Sequence, residues 1–262
     1  MTAAEDPPSH RVLNPEGRAP AVLICDHASR LVPADLNQLG LPEEEISRHI
    51  GWDPGTAALS ERLAKALDAP AVLSGVSRLV IDCNRRPDDP TLICEVSDGT
   101  IIPGNRDLPP EERERRLTTY FRPYHAAIAE QMERAKRRCT TPALLSIHSF
   151  TPRLRARKED RPWHIGVVWD RDGRLALPLL QALRDEGDLV VGDNQPYSGH
   201  AHAGYSIFEH GQDRGLPHVM IEVRQDLVSD EAGVAEWAVR LERCFRRILT
   251  EARLWRPNMS AA

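Results

Sequence analysis

The chain has 262 residues, 41% of them hydrophobic and 28% charged, which is enough to bury a substantial core and excludes a disordered tail protein. Its 34 Lys and Arg against 39 Asp and Glu leave a net charge of −5 with both signs interspersed, so no overall basic field points to nucleic acid or an anionic membrane. A small molecule is the expected partner, and no apolar run approaches the roughly 20 residues that span a bilayer.

Residues 1–18 are expected to form a tail, and the first ten (MTAAEDPPSH) hold two acids and two prolines where a secretion signal carries a positive stretch and then an apolar one. The run Ala21 to Cys25 predicts a buried strand. Thr56 to Leu67 places Leu59, Leu63, Ala66 and Leu67 at helical spacing behind the start signal Asp53-Pro54-Gly55. Ala71 to Ser74 and Arg78 to Cys83 predict two strands broken at Gly75, followed by a long loop, rich in Pro, Gly and Asp, from Arg85 to Pro110. From Pro110 to Arg138 the stripe Leu117, Phe121, Tyr124, Ile128, Met132, Ala135 continues through Pro123, which predicts one kinked helix or two abutting ones.

Further strands are predicted at Ala143 to Ile147, His164 to Trp169, Asp188 to Val191 and His218 to Val223, with helices at Leu175 to Arg184 and about Glu231 to Glu251. The charge run Arg153 to Arg161 has no apolar periodicity and reads as a solvated loop, with an active-site lid or anion-steering loop as the alternative. The alternation of short apolar runs with amphipathic stretches predicts an α/β domain whose sheet is covered by helices.

Five cysteines (Cys25, Cys83, Cys94, Cys139, Cys244) are scattered without a C-x-x-C pair, which argues against a disulfide framework or thiolate zinc cluster and suits the cytoplasm. Any catalytic metal then needs His, Asp and Glu. Polar residues stand where the apolar strands end: Asp26-His27, Asp82-Cys83-Asn84-Arg85, His148-Ser149 and Glu222-Val223-Arg224. In open α/β sheets ligands bind beyond the carboxyl ends of the strands, so these endings can converge on one site. Two histidines with a carboxylate make a metal-ligand set, and a further carboxylate can take a proton from water. Arg78 and Arg85 can hold a substrate carboxylate, or pair with Asp82, Asp88 or Asp89.

The segments Asp26-His-Ala-Ser29, Trp52-Asp53, Ser77-Arg-Leu-Val-Ile-Asp-Cys-Asn-Arg85, Pro123-Tyr-His125, Ser146-Ile-His-Ser-Phe150, Gly204-Tyr205 with His210-Gly211, and Ile221-Glu-Val-Arg-Gln-Asp226 together resemble the N-formylglutamate amidohydrolase family. The resemblance runs from about Ala19 to Ala252. It implies a fold like that of the zinc carboxypeptidases (a zinc exopeptidase-like, phosphorylase/hydrolase-like α/β domain), in which a mixed central sheet is sandwiched by helices and the metal sits at the strand ends. It also implies hydrolysis of the amide of a small acidic N-acyl amino acid, foremost N-formylglutamate, with one zinc ion. His27 and His148 would be ligands, Glu222 the general base, and Asn84-Arg85, helped by Arg78, the grip on the substrate carboxylate.

The chain departs from the carboxypeptidase pattern at Arg30, where a ligating glutamate would stand three residues after the first histidine. Asp53 is the first choice for the third ligand, with Asp26 and Asp82 as alternatives whose other role is to orient a histidine. Tyr205 and His210, in the loop Gly199 to Gly211, are candidates to donate to the developing oxyanion or to close the loop over the site. His200 and His202 resemble a metal pair but fall outside the matched segments, His125 reads as a buried histidine, and Cys25 and Cys83 read as core. Because the matched residues reach from His27 to Glu222, a single domain over 19–254 is expected, with a second tail at 255–262. Manganese or iron in place of zinc, another N-acyl amino acid or short peptide as substrate, a non-catalytic carboxylate-binding protein and a Cys25 nucleophile are the alternatives. Oligomeric state is left open.

Overall fold

A computed structural model describes residues 6–139, 141–156, 160–201 and 204–251. Its first half runs β1 (His10–Leu13), β2 (Ala21–Cys25), α1 (Glu43–Ile46), α2 (Thr56–Leu67), β3 (Ala71–Ser74), and the hairpin β4 (Val96–Ser97) and β5 (Thr100–Ile101). It continues with α3 (Pro110–Arg116), α4 (Arg122–Arg138), β6 (Ala143–Phe150), β7 (Ile165–Val168), α5 (Gly173–Arg184), β8 (Val191–Asp193), α6 (Tyr205–His210), β9 (His218–Arg224) and α7 (Glu231–Leu249).

Seven strands form one sheet in the order β1-β3-β2-β6-β9-β7-β8. The four central strands, β3, β2, β6 and β9, are mutually parallel, while β1 joins β3 and β7 joins β9 in antiparallel fashion. The sheet is therefore mixed, as expected, and the carboxyl ends of its parallel strands lie along one edge. Side chains alternate across it. On one face α2, α5 and α7 bury Leu59, Leu63, Leu179, Trp237 and Phe245 against Leu23, Leu145 and Ile221. On the other, α4 buries Tyr124, Ile128 and Met132 against Val22, Ile24, Leu144 and Met220. Each of the larger side chains contributes about 1.5–3 kcal/mol, so covering both faces holds the strand ends rigidly.

Several expectations are corrected. Residues 10–13 are not tail but an edge strand, paired from His10 opposite Ser74 to Leu13 opposite Ala71; residues 1–5 and the tail at 255–262 lie outside the described residues. The predicted strand Arg78 to Cys83 is a run of turns, closed by bonds from the Val80 amide to the Ser77 carbonyl (2.9 Å) and from the Arg85 amide to the Asp82 carbonyl (3.1 Å). Leu79, Val80 and Ile81 are buried there without a ladder partner, so their apolar character reports core contact rather than sheet. The strand placed at Asp188 to Val191 begins at Val191 instead. Between α3 and α4 the helix continues through a π-helical stretch, Leu117–Phe121, and Pro123 falls just after it, where the wider turn already interrupts the regular i→i−4 ladder and can accommodate a missing N–H. The loop from Gly199 to Gly211 contains α6, entered through Gly204 at φ 106°.

Candidate active site

The carboxyl ends of β2, β6 and β9 bring their polar residues together. Asp26 and His27 follow β2, His148 lies in β6, and Glu222 stands opposite it in β9. Asp53 arrives from the start of α2, where its amide donates to the His27 carbonyl at 2.9 Å. Gly55 makes that entry possible, because its φ is +82° and a Cβ there would sit 2.2 Å from the Val228 carbonyl oxygen.

His27 Nδ1 lies 3.3 Å from Asp53 Oδ2, and His148 Nδ1 lies 2.8 Å from the same oxygen. The far nitrogens are also held: His27 Nε2 is 2.7 Å from Asp82 Oδ1, and His148 Nε2 is 3.0 Å from Asp26 Oδ2. Asp26 in turn accepts from the Tyr124 hydroxyl at 2.9 Å and from the Ser206 hydroxyl. Asp82 and Asp26 hold a proton on each Nε2, so that once the Nδ1 protons facing Asp53 are given up, both Nδ1 lone pairs point at its carboxylate. One ligand atom each from His27, Asp53 and His148 lies within 4.8 Å of the others, and all three residues are buried. Three acceptors converging out of contact with water require positive charge among them, so this group fits a divalent cation such as zinc.

The electrostatics agree. Burial alone would lower both histidines, but their aspartates raise them, His148 well above its ordinary value. Burial would raise Asp53, Asp82 and Asp26, yet all three are depressed, Asp53 by His27 first, Asp82 by Arg78 first, and Asp26 to about 2 by its bond to His148. Glu222 moves the other way, pushed up to about 7 chiefly by burial, and its Oε2 has no hydrogen-bond partner.

A cavity of about 120 Å³ is lined by His27, Asp53, His148, Glu222, Arg78, Asn84 and Arg85, together with Ser149, Tyr197, Gly204 and Met220. Arg78 is committed to structure, 2.8 Å from Asp82 and 3.5 Å from Asp53. Arg85 has one long contact, 3.9 Å to Asp82, and is 39% exposed. The Asn84 amide donates to Asp82 Oδ1 at 2.9 Å, and its Oδ1 accepts from the Ser206 amide at 3.1 Å.

Tyr205 and His210 are not part of this cavity. The Tyr205 hydroxyl donates to Glu209 and its ring stacks on Phe121; Tyr205 also lines a separate cavity that shares Asn84 and Arg85. His210 Nε2 lies 2.9 Å from His125 Nδ1, whose own Nε2 is 3.0 Å from the Cys83 carbonyl oxygen, and burial lowers His210 to about 3. Both sit on α6, whose aromatic contacts hold it against α4 rather than over the His27–Asp53–His148 group. His200 is an exposed partner of Asp170, His202 lies outside the described residues, and Arg30 pairs with Glu43 at the surface. Burial raises the Cys25 thiol to about 12 and Cys83 well above its ordinary value, which excludes a resting thiolate.

Two residues at the site have no local sequence signal, Ser206 on Asp26 and Tyr197 in the cavity lining, while Ser149, whose amide donates to Asp53, and Tyr124 on Asp26 lie in segments singled out above without a role of their own. Tyr124 belongs to an ordinary apolar stripe, and Tyr197 comes from a loop distant in sequence.

The sequence profile described as N-formylglutamate amidohydrolase matches residues 19–229. The chain belongs to this family. A crystal structure of a gene product from Agrobacterium tumefaciens is 33% identical, with a TM-score of 0.88 over 93% of this chain and 95% of that one. The crystal structure of an N-formylglutamate amidohydrolase from Ralstonia eutropha is 26% identical, with a TM-score of 0.74 over 92% of this chain and 96% of that one. An N-formylglutamate deformylase of Pseudomonas aeruginosa is 26% identical over 90% of this chain and 91% of its own length. A second, from Pseudomonas putida, is 32% identical over 52% of this chain, and the match spans about half, 53%, of that relative. Membership of the amidohydrolase family makes the chain a hydrolase of amide bonds.

Proposed function

We propose that the chain hydrolyses N-formylglutamate to glutamate and formate, with one divalent metal ion, zinc before manganese or iron, held by His27, Asp53 and His148. The observation that carries this reading is Glu222: a buried carboxyl with an unpartnered oxygen in the same cavity as the metal-ligand group. A carboxylate-binding protein without turnover has no use for it. When bound, the ion supplies Lewis acidity to the formyl carbonyl and to a water.

The chain's own residues do the rest. Arg85 and Asn84 receive the substrate α-carboxylate and fix the amide relative to Glu222. Glu222 takes a proton from the water as its oxygen attacks the formyl carbon, then delivers that proton to the nitrogen as the C–N bond breaks. Asp26 and Asp82 keep the two imidazoles turned toward Asp53 throughout. A cavity of about 120 Å³ suits a formyl group better than a bulky acyl group. No described helix is long and apolar enough to cross a membrane, and the five free cysteines suit a reducing cytoplasm.

The test is metal analysis with assay. Purified protein should carry about one zinc per chain and release formate from N-formylglutamate, and chelation should abolish the release. Protein that binds no divalent metal, or that leaves N-formylglutamate intact when loaded, overturns the reading.

A further inference from the structure

N-formylglutamate carries two carboxylates, and the arginines around the cavity differ in how far they are already neutralised. Arg78 is paired twice, with Asp82 and Asp53, and Arg85 keeps one long contact with Asp82. A third guanidinium, Arg161, has no carboxylate partner among the described residues. Its Nη1 donates to the Tyr197 hydroxyl oxygen at 3.2 Å and to the Thr151 carbonyl at 3.4 Å, and its Cζ lies 5.2 Å from the centre of the Tyr197 ring.

Tyr197 links the pair to the reacting groups. Tyr197 lines the cavity that holds Glu222, and Arg161 lines an adjoining cavity of about 370 Å³ whose wall includes Arg78 and Tyr197. The acid in that second cavity, Asp98, is occupied by the amides of Arg155 (3.0 Å) and Ala156 (2.9 Å) and by Arg48 (2.9 Å). Because Arg161 donates to the Tyr197 oxygen, the phenolic hydrogen is left to point elsewhere, and Nε and Nη2 of Arg161 have no partner among the described residues. A cation with spare donors, backed by a hydroxyl, is a carboxylate receptor.

We propose that Arg161 and Tyr197 together receive the side-chain carboxylate of the substrate, while Asn84 and Arg85 hold its α-carboxylate, so that this pair sets selectivity for dicarboxylic N-formyl amino acids. The inference rests on the hydrolase reading above. It also gives the charge run after β6 a role: Arg153 and Arg155 pair with Asp160 and Glu45, and Arg161 at its end is left for substrate.

The experiment compares N-formyl-L-glutamate with N-formyl-L-glutamine, which has the same shape without the second charge, on zinc-loaded protein. Wild type should favour the glutamate by about 10- to 100-fold in kcat/KM, the range a charge-assisted hydrogen bond supports, with the difference in KM. Arg161→Gln should bring that ratio to within about threefold, Arg161→Lys should restore part of it, and Tyr197→Phe should lower it less than Arg161→Gln does. A ratio unchanged in Arg161→Gln, or both substrates declining in step, overturns the proposal. Calorimetric binding of glutarate and its monoamide separates the two readings. If wild-type protein hydrolyses neither substrate, the hydrolase reading fails, and a wild-type preference for glutarate that is lost in Arg161→Gln still upholds the receptor, whereas no such preference overturns it.

Discussion

His148 and Glu222 are register partners in the parallel pair β6–β9, on the sheet face that packs against α4. One carries an imidazole facing Asp53, and the other a carboxyl oxygen with no partner. Adjacent strands hold such a pair at fixed separation without any loop, which is the rigidity that the proposed metal ligand and base would need.

Replacing Glu222 with Gln should lower kcat by about 10²- to 10⁴-fold, with little change in N-formylglutamate binding. Burial raises the folded-state pKa of Glu222 above its ordinary 4.5, and a base works only when deprotonated. Activity should therefore fall as pH drops through that raised value, and the residual activity of Glu222→Gln should lack this acid limb. For stability the sign is opposite: a raised carboxyl stabilises below its unfolded value and loses that contribution as pH rises through the folded one. Glu222→Gln should melt at the same temperature as wild type or higher near pH 8. A pH–rate profile and thermal melts check both.

Asp26→Asn and Asp82→Asn should each weaken metal binding by about 10- to 100-fold, because each releases an imidazole from its oriented tautomer. Tyr124→Phe, which removes one donor to Asp26, should have a smaller effect in the same direction. Competition against a chromophoric chelator measures all three. Equal affinity in Asp82→Asn and wild type would remove Asp82 from the proposed metal site.

The His125–His210 pair predicts an acid sensitivity unrelated to catalysis. His125 Nε2 donates to the Cys83 carbonyl, so its Nδ1 accepts from His210 Nε2, and His210 Nδ1 is left buried and without a partner. Burial, then His125, lowers His210 to about 3, so the folded state resists a proton that the unfolded chain takes up below its ordinary 6.5. Stability should be full above that value and decline by about 1.4 kcal/mol per pH unit beneath it. Denaturant melts of wild type and His210→Gln at pH 7.5 and 5.5 should show a shallower decline in the variant; parallel declines would contradict the assignment.

The apolar spacing in the sequence was sufficient to locate β2, α2, β3 and the cores of β6, β7 and β9, because buried strands and amphipathic helices record their neighbours as local patterns. That His27, His148 and Glu222 come together was legible, because each closes or interrupts an apolar strand and strands that run parallel deliver their ends to one place. Tertiary structure alone decided the rest. Asp53 faces both histidines because α2 starts beneath β2, while Tyr205 and His210 are drawn away by packing on α4. Arg78 and Arg161 carry the same charge in the sequence; what differs is the carboxylates that the fold places beside them. Local pattern reports what a residue buries, whereas its chemistry depends on partners that the chain brings from far away.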